Sequence, residues 1–229
     1  MPEDSTAVER WSEGLETELA FWYRWLRDKG EPWPDDYRLR MDPRAELQSH
    51  LREHIDARAG ARVRILDVGS GPLTRVGKRW RGRRLSVTAV DPLADRYREL
   101  LERLSLRPEG IPLQGEAERL DELLPADSFD LAWACNSLDH GHDPLRAIRQ
   151  MLRLVKPGRR VLLDHVVNEG ENMGYAGLHQ WNFRAEDGRF VIWRPGETID
   201  AHGELRPQAE IDTEPLEDGK WLRVVLRRR

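Results

Sequence analysis

The sequence predicts an α/β protein: a doubly wound, mostly parallel sheet, with antiparallel strands toward the carboxyl end and a helical segment at the amino end. Three observations point there. Beyond Gly60, short runs rich in β-branched and aromatic residues alternate with amphipathic helical patterns. The first run passes directly into a glycine turn, Asp67-Val68-Gly69-Ser70-Gly71. The second ends in an acid, Asp91, followed by Pro92.

The amino end opens as a helix. Thr6 stands as its cap with Glu9 three residues on, and Val8, Trp11, Leu15, Leu19, Trp22 and Leu26 recur at spacings of three and four. Gly30 ends it, with Pro32 and Pro34 beyond. Phe21 and Trp25 lie off that stripe and form a second apolar face, expected either to close over a ligand or to pack on the main domain. A further helix is expected over residues 43–59, carrying Leu47, Leu51 and Ile55 and closed by Gly60. Residues 1–60 thus read as a helical lid, and residues 61–229 as the main domain.

Within that domain, residues 63–68, 85–90, 129–135 and 161–166 read as buried parallel strands. Residues 92–104 and 143–155 carry helical periodicity between them, and Lys156-Pro157-Gly158 is a stop and turn. Residues 168–184 are irregular. Residues 189–193 and 221–226 are strand-like, so the tail is expected to be antiparallel.

Size and charge narrow the function. A chain of 229 residues suits one large domain with an elaboration. The 37 basic side chains are outnumbered by 41 acidic ones, a net charge of −4, which disfavours nucleic acid as a partner. Arg75, Lys78, Arg79, Arg81, Arg83 and Arg84 form a local basic cluster, expected on a solvated helix and turn. No apolar stretch approaches the roughly 20 residues of a membrane span, and the first residues are acidic where a leader would be basic. One cysteine, Cys135, excludes an internal disulfide, and no Cys/His spacing reads as a metal site. A cytoplasmic protein without a metal is therefore expected.

A glycine turn between strand and helix lets backbone N–H groups approach a ligand closely. Thr74 occupies the place of the third glycine of a dinucleotide fingerprint, so a nicotinamide oxidoreductase falls behind. No Gly-Lys-Ser/Thr ending supports a triphosphate loop. Asp91 stands beside the turn, where a carboxylate can accept from both hydroxyls of a ribose. Gln114-Gly115-Glu116-Ala117-Glu118 follows, and then the run from Asp127 through Asn136 to His140. In this order the motifs resemble class I S-adenosylmethionine-dependent methyltransferases, particularly their small-molecule group, over residues 63–165.

The resemblance implies a Rossmann-like fold, with S-adenosyl-L-methionine as methyl donor and S-adenosyl-L-homocysteine as product. It assigns Asp67, Gly69, Ser70 and Gly71 to the methionine part, Asp91 with Pro92 to the ribose, Glu116 and Ala117 to the adenine, and Asn136 to the methionine end. Glu116 stands where the family more often has Asp.

Displacement at a sulfonium methyl depends mainly on alignment, with a base needed only for a protonated acceptor. The candidate catalytic residues are Asp139, His140 and His179. Trp22 and Trp25 of the first helix, with His165, Trp181 and Asn182 in or before the acceptor loop at 166–188, are candidates for binding substrate. A competing role for Trp181 and Phe183 is to plug the gap between the parallel sheet and the terminal strands. His142 reads as a neighbour of a helix cap and Cys135 as a small core residue.

Asn136-Ser137-Leu138-Asp139 lacks the Pro-Pro-aromatic sequence of amino methylation, and no Pro-Cys nucleophile is present. The expected reaction is methyl transfer to an oxygen or nitrogen of a small molecule. Two other readings remain open at this point: a methyltransferase acting on RNA or protein through the basic cluster, and a non-catalytic cofactor-binding or interaction protein of the same fold.

Overall fold

The computed structural model describes residues 5–229, with side chains described at Trp11 and from Gly14 onward. The Thr6–Glu9 cap and the Val8 side chain lie outside the described residues. The helices are α1 (Ser5–Arg27), α2 (Pro34–Met41), α3 (Ser49–Arg52), α4 (Ala94–Arg103), α5 (Leu120–Leu123), α6 (Pro144–Leu154), α7 (Glu169–Asn172) and α8 (Ala201–Leu205). The strands are β1 (Arg62–Val68), β2 (Arg84–Asp91), β3 (Leu113–Gln114), β4 (Phe129–Cys135), β5 (Val155–Val166), β6 (Asn182–Glu186), β7 (Arg189–Arg194), β8 (Glu197–Ile199), β9 (Ala209–Leu216) and β10 (Trp221–Arg228).

Seven strands form one sheet in the order β3-β2-β1-β4-β5-β10-β9. The first five are parallel, and β10 runs antiparallel between β5 and β9. β6, β7 and β8 make a separate antiparallel sheet. The central strands are apolar on both faces, as a parallel sheet covered twice requires. Leu66, Val68, Ala132, Ala134 and Leu163 point to the layer that holds α6. Ile65, Leu131, Trp133 and Leu162 point to the opposite layer, with Leu47, Leu51 and Ile55. The strand order switches sides at β1, with β2 and β3 to one side and β4 and β5 to the other, and such a switch point opens a crevice at the carboxyl ends of the strands.

The structure departs from the sequence reading in three places. No helix follows the glycine turn. Residues 72–83 form an irregular crossover, because Pro72, Gly77 and Gly82 interrupt any helical run. That crossover is hydrogen-bonded to the extended segment before α3: Leu47 N–H donates to Arg79 C=O at 2.7 Å, and Lys78 N–H donates to Ala45 C=O at 2.7 Å. The expected helix over 43–59 accordingly shrinks to the four residues of α3, while α2, which the sequence did not signal, forms before it. Leu47, Leu51 and Ile55 are nevertheless buried, so their spacing recorded burial, not helix.

The third departure is at β5, which begins at Val155 and not near Val161. Phe129 pairs with Val155 and Leu131 with Arg160, so Lys156-Pro157-Gly158 is a bulge inside the strand. The tail is antiparallel as expected, although the stretch read as irregular contains α7 and enters β6 at Asn182.

Leu51 is fully buried under the sheet. We expect Leu51→Ala to destabilise the protein by about 2–5 kcal/mol, read from urea unfolding. A loss well under 1 kcal/mol would show that the segment before β1 is not part of this core.

Candidate active site

The glycine turn, Asp91 and the loops after β4 and β5 meet at the crevice. Gly69 and Gly71 both have positive φ, +67° and +65°. A Cβ on Gly69 would collide with the Ser137 side chain, and one on Gly71 would lie 2.7 Å from Trp22 Cζ2. The turn therefore needs glycine for the close approach of Ser137 and of the Trp22 ring. Asp91 holds the turn from β2: Gly71 N–H donates to its Oδ2 at 2.8 Å and Leu93 N–H to its Oδ1 at 2.9 Å. Burial pushes the Asp91 carboxyl up to about 7 against the pull of those two amides. Burial likewise raises Asp67 to about 6, and Asp67 Oδ2 has no hydrogen-bond partner.

The other residues assigned to the cofactor lie around this turn. Ser70 is buried, its hydroxyl turned onto Gly71 C=O at 3.0 Å. Pro92 C=O accepts from Gln114 Nε2 at 2.5 Å, which ties the end of β3 to the Asp91 turn. Glu116 and Ala117 are half-buried just beyond β3. Asn136, at φ +45°, accepts from Val166 N–H at 3.2 Å through Oδ1 and so joins the ends of β4 and β5.

The three candidate catalytic side chains come together. His179 Nδ1 lies 2.8 Å from Asp139 Oδ2 and 3.1 Å from His140 Nε2. Asp139 is fully buried, and its C=O accepts from Gln180 and Trp181 N–H, which fixes the acceptor loop to the end of β4. Burial works to raise Asp139, but His140, the His179 hydrogen bond and His165 outweigh it and hold the carboxyl below its usual range. Burial works to lower His179, and Asp139 reverses that to a value above an ordinary imidazole. His165, 3.9 Å from Asp139 Oδ1 and packed on Phe183, is driven by burial down to about 4 and is neutral.

The candidates for the acceptor divide. His165, Gln180 and Trp181 carry buried polar atoms without hydrogen-bond partners, as does Asp139 Oδ1. Trp181 and Phe183 also belong to the core between the parallel sheet and β6–β8, which is the plugging role. Asn182 is a correction: it is fully buried, its Oδ1 accepts from Glu171 N–H at 2.8 Å and its Nδ2 donates to Tyr175 Oη at 3.1 Å, so it braces the loop. Trp25 is a second correction, because it is buried in a core cluster with Leu73 and Leu101. Trp22 lies over the glycine turn and not beside the histidines.

Sequence reasoning missed Arg40 and Glu118. Arg40, buried on α2, donates to Ser70 C=O at 2.7 Å and to Leu73 C=O, pairs with Asp36, and lies over the Trp22 and Trp25 rings. No motif marks it, since α2 itself was not foreseen. Glu118 accepts from Asp143 N–H at 3.2 Å and faces His142. Asp143 caps α6 through Arg146 N–H at 2.9 Å, which places His142 beside a cap as expected.

The methyltransferase-domain family matches residues 66–163. Methyltransferase GfsG of Streptomyces halstedii is 33% identical over 147 residues, covering 60% of this chain and 50% of that protein. A ubiquinone biosynthesis O-methyltransferase of Pseudomonas aeruginosa is 36% identical over 121 residues, 49% of this chain and 48% of the enzyme. The chain thus spans about half the length of these curated relatives. A SAM-dependent methyltransferase from Aquifex aeolicus superposes with a TM-score of 0.50 at 15% identity, over 84% of this chain and 92% of that one. The [4+2]-cyclase SpnF superposes at 0.53 with 18% identity, over 93% of both. These two likenesses concern the fold. Residues 66–163 match the methyltransferase-domain family, and the chain has the Rossmann-like α/β fold of the S-adenosylmethionine-dependent methyltransferase it superposes on.

Proposed function

We propose that the protein transfers a methyl group from S-adenosylmethionine to an oxygen or nitrogen of a small-molecule acceptor. The observation that carries the reading is the meeting, at one switch-point crevice, of the Asp91-held glycine turn with the Asp139–His179 pair. The relatives named as methyltransferases support the same class, and the ubiquinone enzyme supports oxygen as the atom.

The residues present fit the cofactor. The turn keeps its backbone bare at Gly69 and Gly71, and Asp67 beside it keeps a buried carboxylate oxygen without a hydrogen-bond partner. In this reading Gly69, Ser70 and Gly71 hold the methionine part, Asp91 with Pro92 the ribose, Glu116 and Ala117 the adenine, and Asn136 the methionine end. The bound sulfonium supplies an electrophilic methyl. His179, oriented by Asp139, takes the proton of an acceptor hydroxyl or amine, and His140 stands beside it. His165 and Trp181 line the acceptor.

Helix α1 serves as the lid. Gly14 packs against Leu178, Glu16 pairs with Arg96 at 2.9 Å, and Trp22 covers Gly71, so the helix spans the crevice from acceptor loop to cofactor turn. The basic cluster gives little support to RNA as acceptor: Arg75 faces Asp36 and Cys135, Lys78 donates to Arg40 C=O, and Arg83 donates to Ala57 C=O over the Trp80 ring.

Titration calorimetry with S-adenosylmethionine, S-adenosylhomocysteine and NAD is expected to show micromolar binding of the two sulfur ligands alone. Asp91→Ala and Gly71→Val should each abolish it. NAD binding, or retention in both variants, would remove the cofactor assignment, and binding without transfer to any hydroxyl or amine panel would favour the non-catalytic reading.

Asp91 becomes charged only as the pH rises through about 7, and it accepts ribose hydroxyls as the carboxylate. S-adenosylhomocysteine should therefore bind about tenfold more weakly at pH 6 than at pH 8. A flat profile would show that Asp91 does not serve the ligand as a carboxylate.

A further inference from the structure

Most remaining polar clusters are accounted for within the fold. Asp164 is satisfied by Trp133 Nε1 at 2.8 Å and Arg223 Nε at 2.7 Å. Cys135 is half-buried, and desolvation pushes its thiol up to about 12, which makes it a poor nucleophile. The group around Asp139 is different, because its geometry exceeds what a hydrogen-bonded pair requires.

His179 Nδ1 lies within hydrogen-bond distance of both Asp139 Oδ2, at 2.8 Å, and His140 Nε2, at 3.1 Å. A neutral imidazole nitrogen carries either a proton or a lone pair, so it can serve one of these contacts well and not both. The third side of the triangle, His140 Nε2 to Asp139 Oδ2, is 3.5 Å. Around a cation with bonds of about 2.0–2.2 Å, ligand atoms at tetrahedral or octahedral angles stand about 2.8–3.6 Å apart. All three separations fall in that window.

We propose that Asp139 Oδ2, His140 Nε2 and His179 Nδ1 form a binding site for a divalent transition-metal cation. Two imidazoles and one carboxylate select zinc, cobalt, nickel or ferrous iron over magnesium or calcium, which prefer all-oxygen shells. Asp139 is anchored for the task by its C=O, which accepts from the two backbone amides of the loop that carries His179. His165 stands 3.9 Å from the other carboxylate oxygen, as a buried neighbour behind the ligand. Three protein ligands leave at least one coordination position for an exogenous oxygen or nitrogen, and a cation there would orient and polarise it. Cation binding stands on the geometry alone; its place beside the methyl acceptor rests on the function proposed above.

The test is titration of chelator-treated, full-length protein with cobalt(II), without cofactor or acceptor, followed by visible absorption, with zinc(II) competition. One cobalt per chain is expected, displaced by one zinc. His140→Gln and His179→Gln should each weaken binding about a hundredfold or more, whereas His202→Gln on α8 should leave it unchanged. Their side chains are partly exposed, 18% and 19%, so both variants are expected to fold, checked by circular dichroism. Absence of a stoichiometric site, or binding that survives both substitutions, would overturn the proposal. Because S-adenosylhomocysteine binding is read separately by calorimetry, failure of the metal site and failure of the methyl-transfer reading are distinguishable.

Discussion

The Asp91 carboxylate is the joint on which the crevice depends. From the end of β2 it accepts from the Gly71 amide of the neighbouring β1 turn and from the Leu93 amide that starts its own. A buried carboxylate costs several kcal/mol if left alone, and the two backbone amides are what make the position tenable. In return the turn is fixed in the left-handed conformation that only glycine adopts without strain. On that fixed turn rest Ser137 from the loop after β4 and Trp22 from α1, so β2, β1, that loop and the amino-terminal helix meet at a single pair of glycines.

The amino-terminal segment does two jobs that are usually separate. Leu47, Leu51 and Ile55 cover the face of the sheet where a crossover helix would otherwise lie, and residues 45–48 pair with the irregular crossover to hold it there. Arg40 then grips the carbonyls of Ser70 and Leu73 from beneath while its guanidinium supports Trp22 and Trp25. Lid, crossover and glycine turn are therefore mechanically linked, and a ligand that moves Trp22 acts on Arg40 and the turn as well.

The parallel strands were legible because their signals are local: β-branched runs, glycine turns and terminal acids are written in consecutive residues. Asp67, Gly69, Gly71, Asp91, Asp139 and His140 came from such runs and His179 from the loop after β5, and the fold brings Asp139, His140 and His179 together. Elements fixed by tertiary pairing were not legible. The spacing of Leu47, Leu51 and Ile55 mimics a helix, yet the segment takes its shape from hydrogen bonds to the distant residues Val76, Lys78 and Arg79. Arg40 followed the same rule, since its partners lie on the glycine turn. Asn182 looked available in a polar loop, but its amide was required by Glu171 and Tyr175 inside it.

In the proposed function the crevice at the ends of β1, β2 and β4 receives S-adenosylmethionine beneath α1. Hydrogen exchange with and without saturating S-adenosylhomocysteine tests it most directly. Slowed exchange concentrated in residues 67–74, 91–93, 114–118 and 136–140, with a change in α1 around Trp22, is the predicted result. Unchanged exchange in those segments, or protection confined to the β6–β8 sheet, would contradict it.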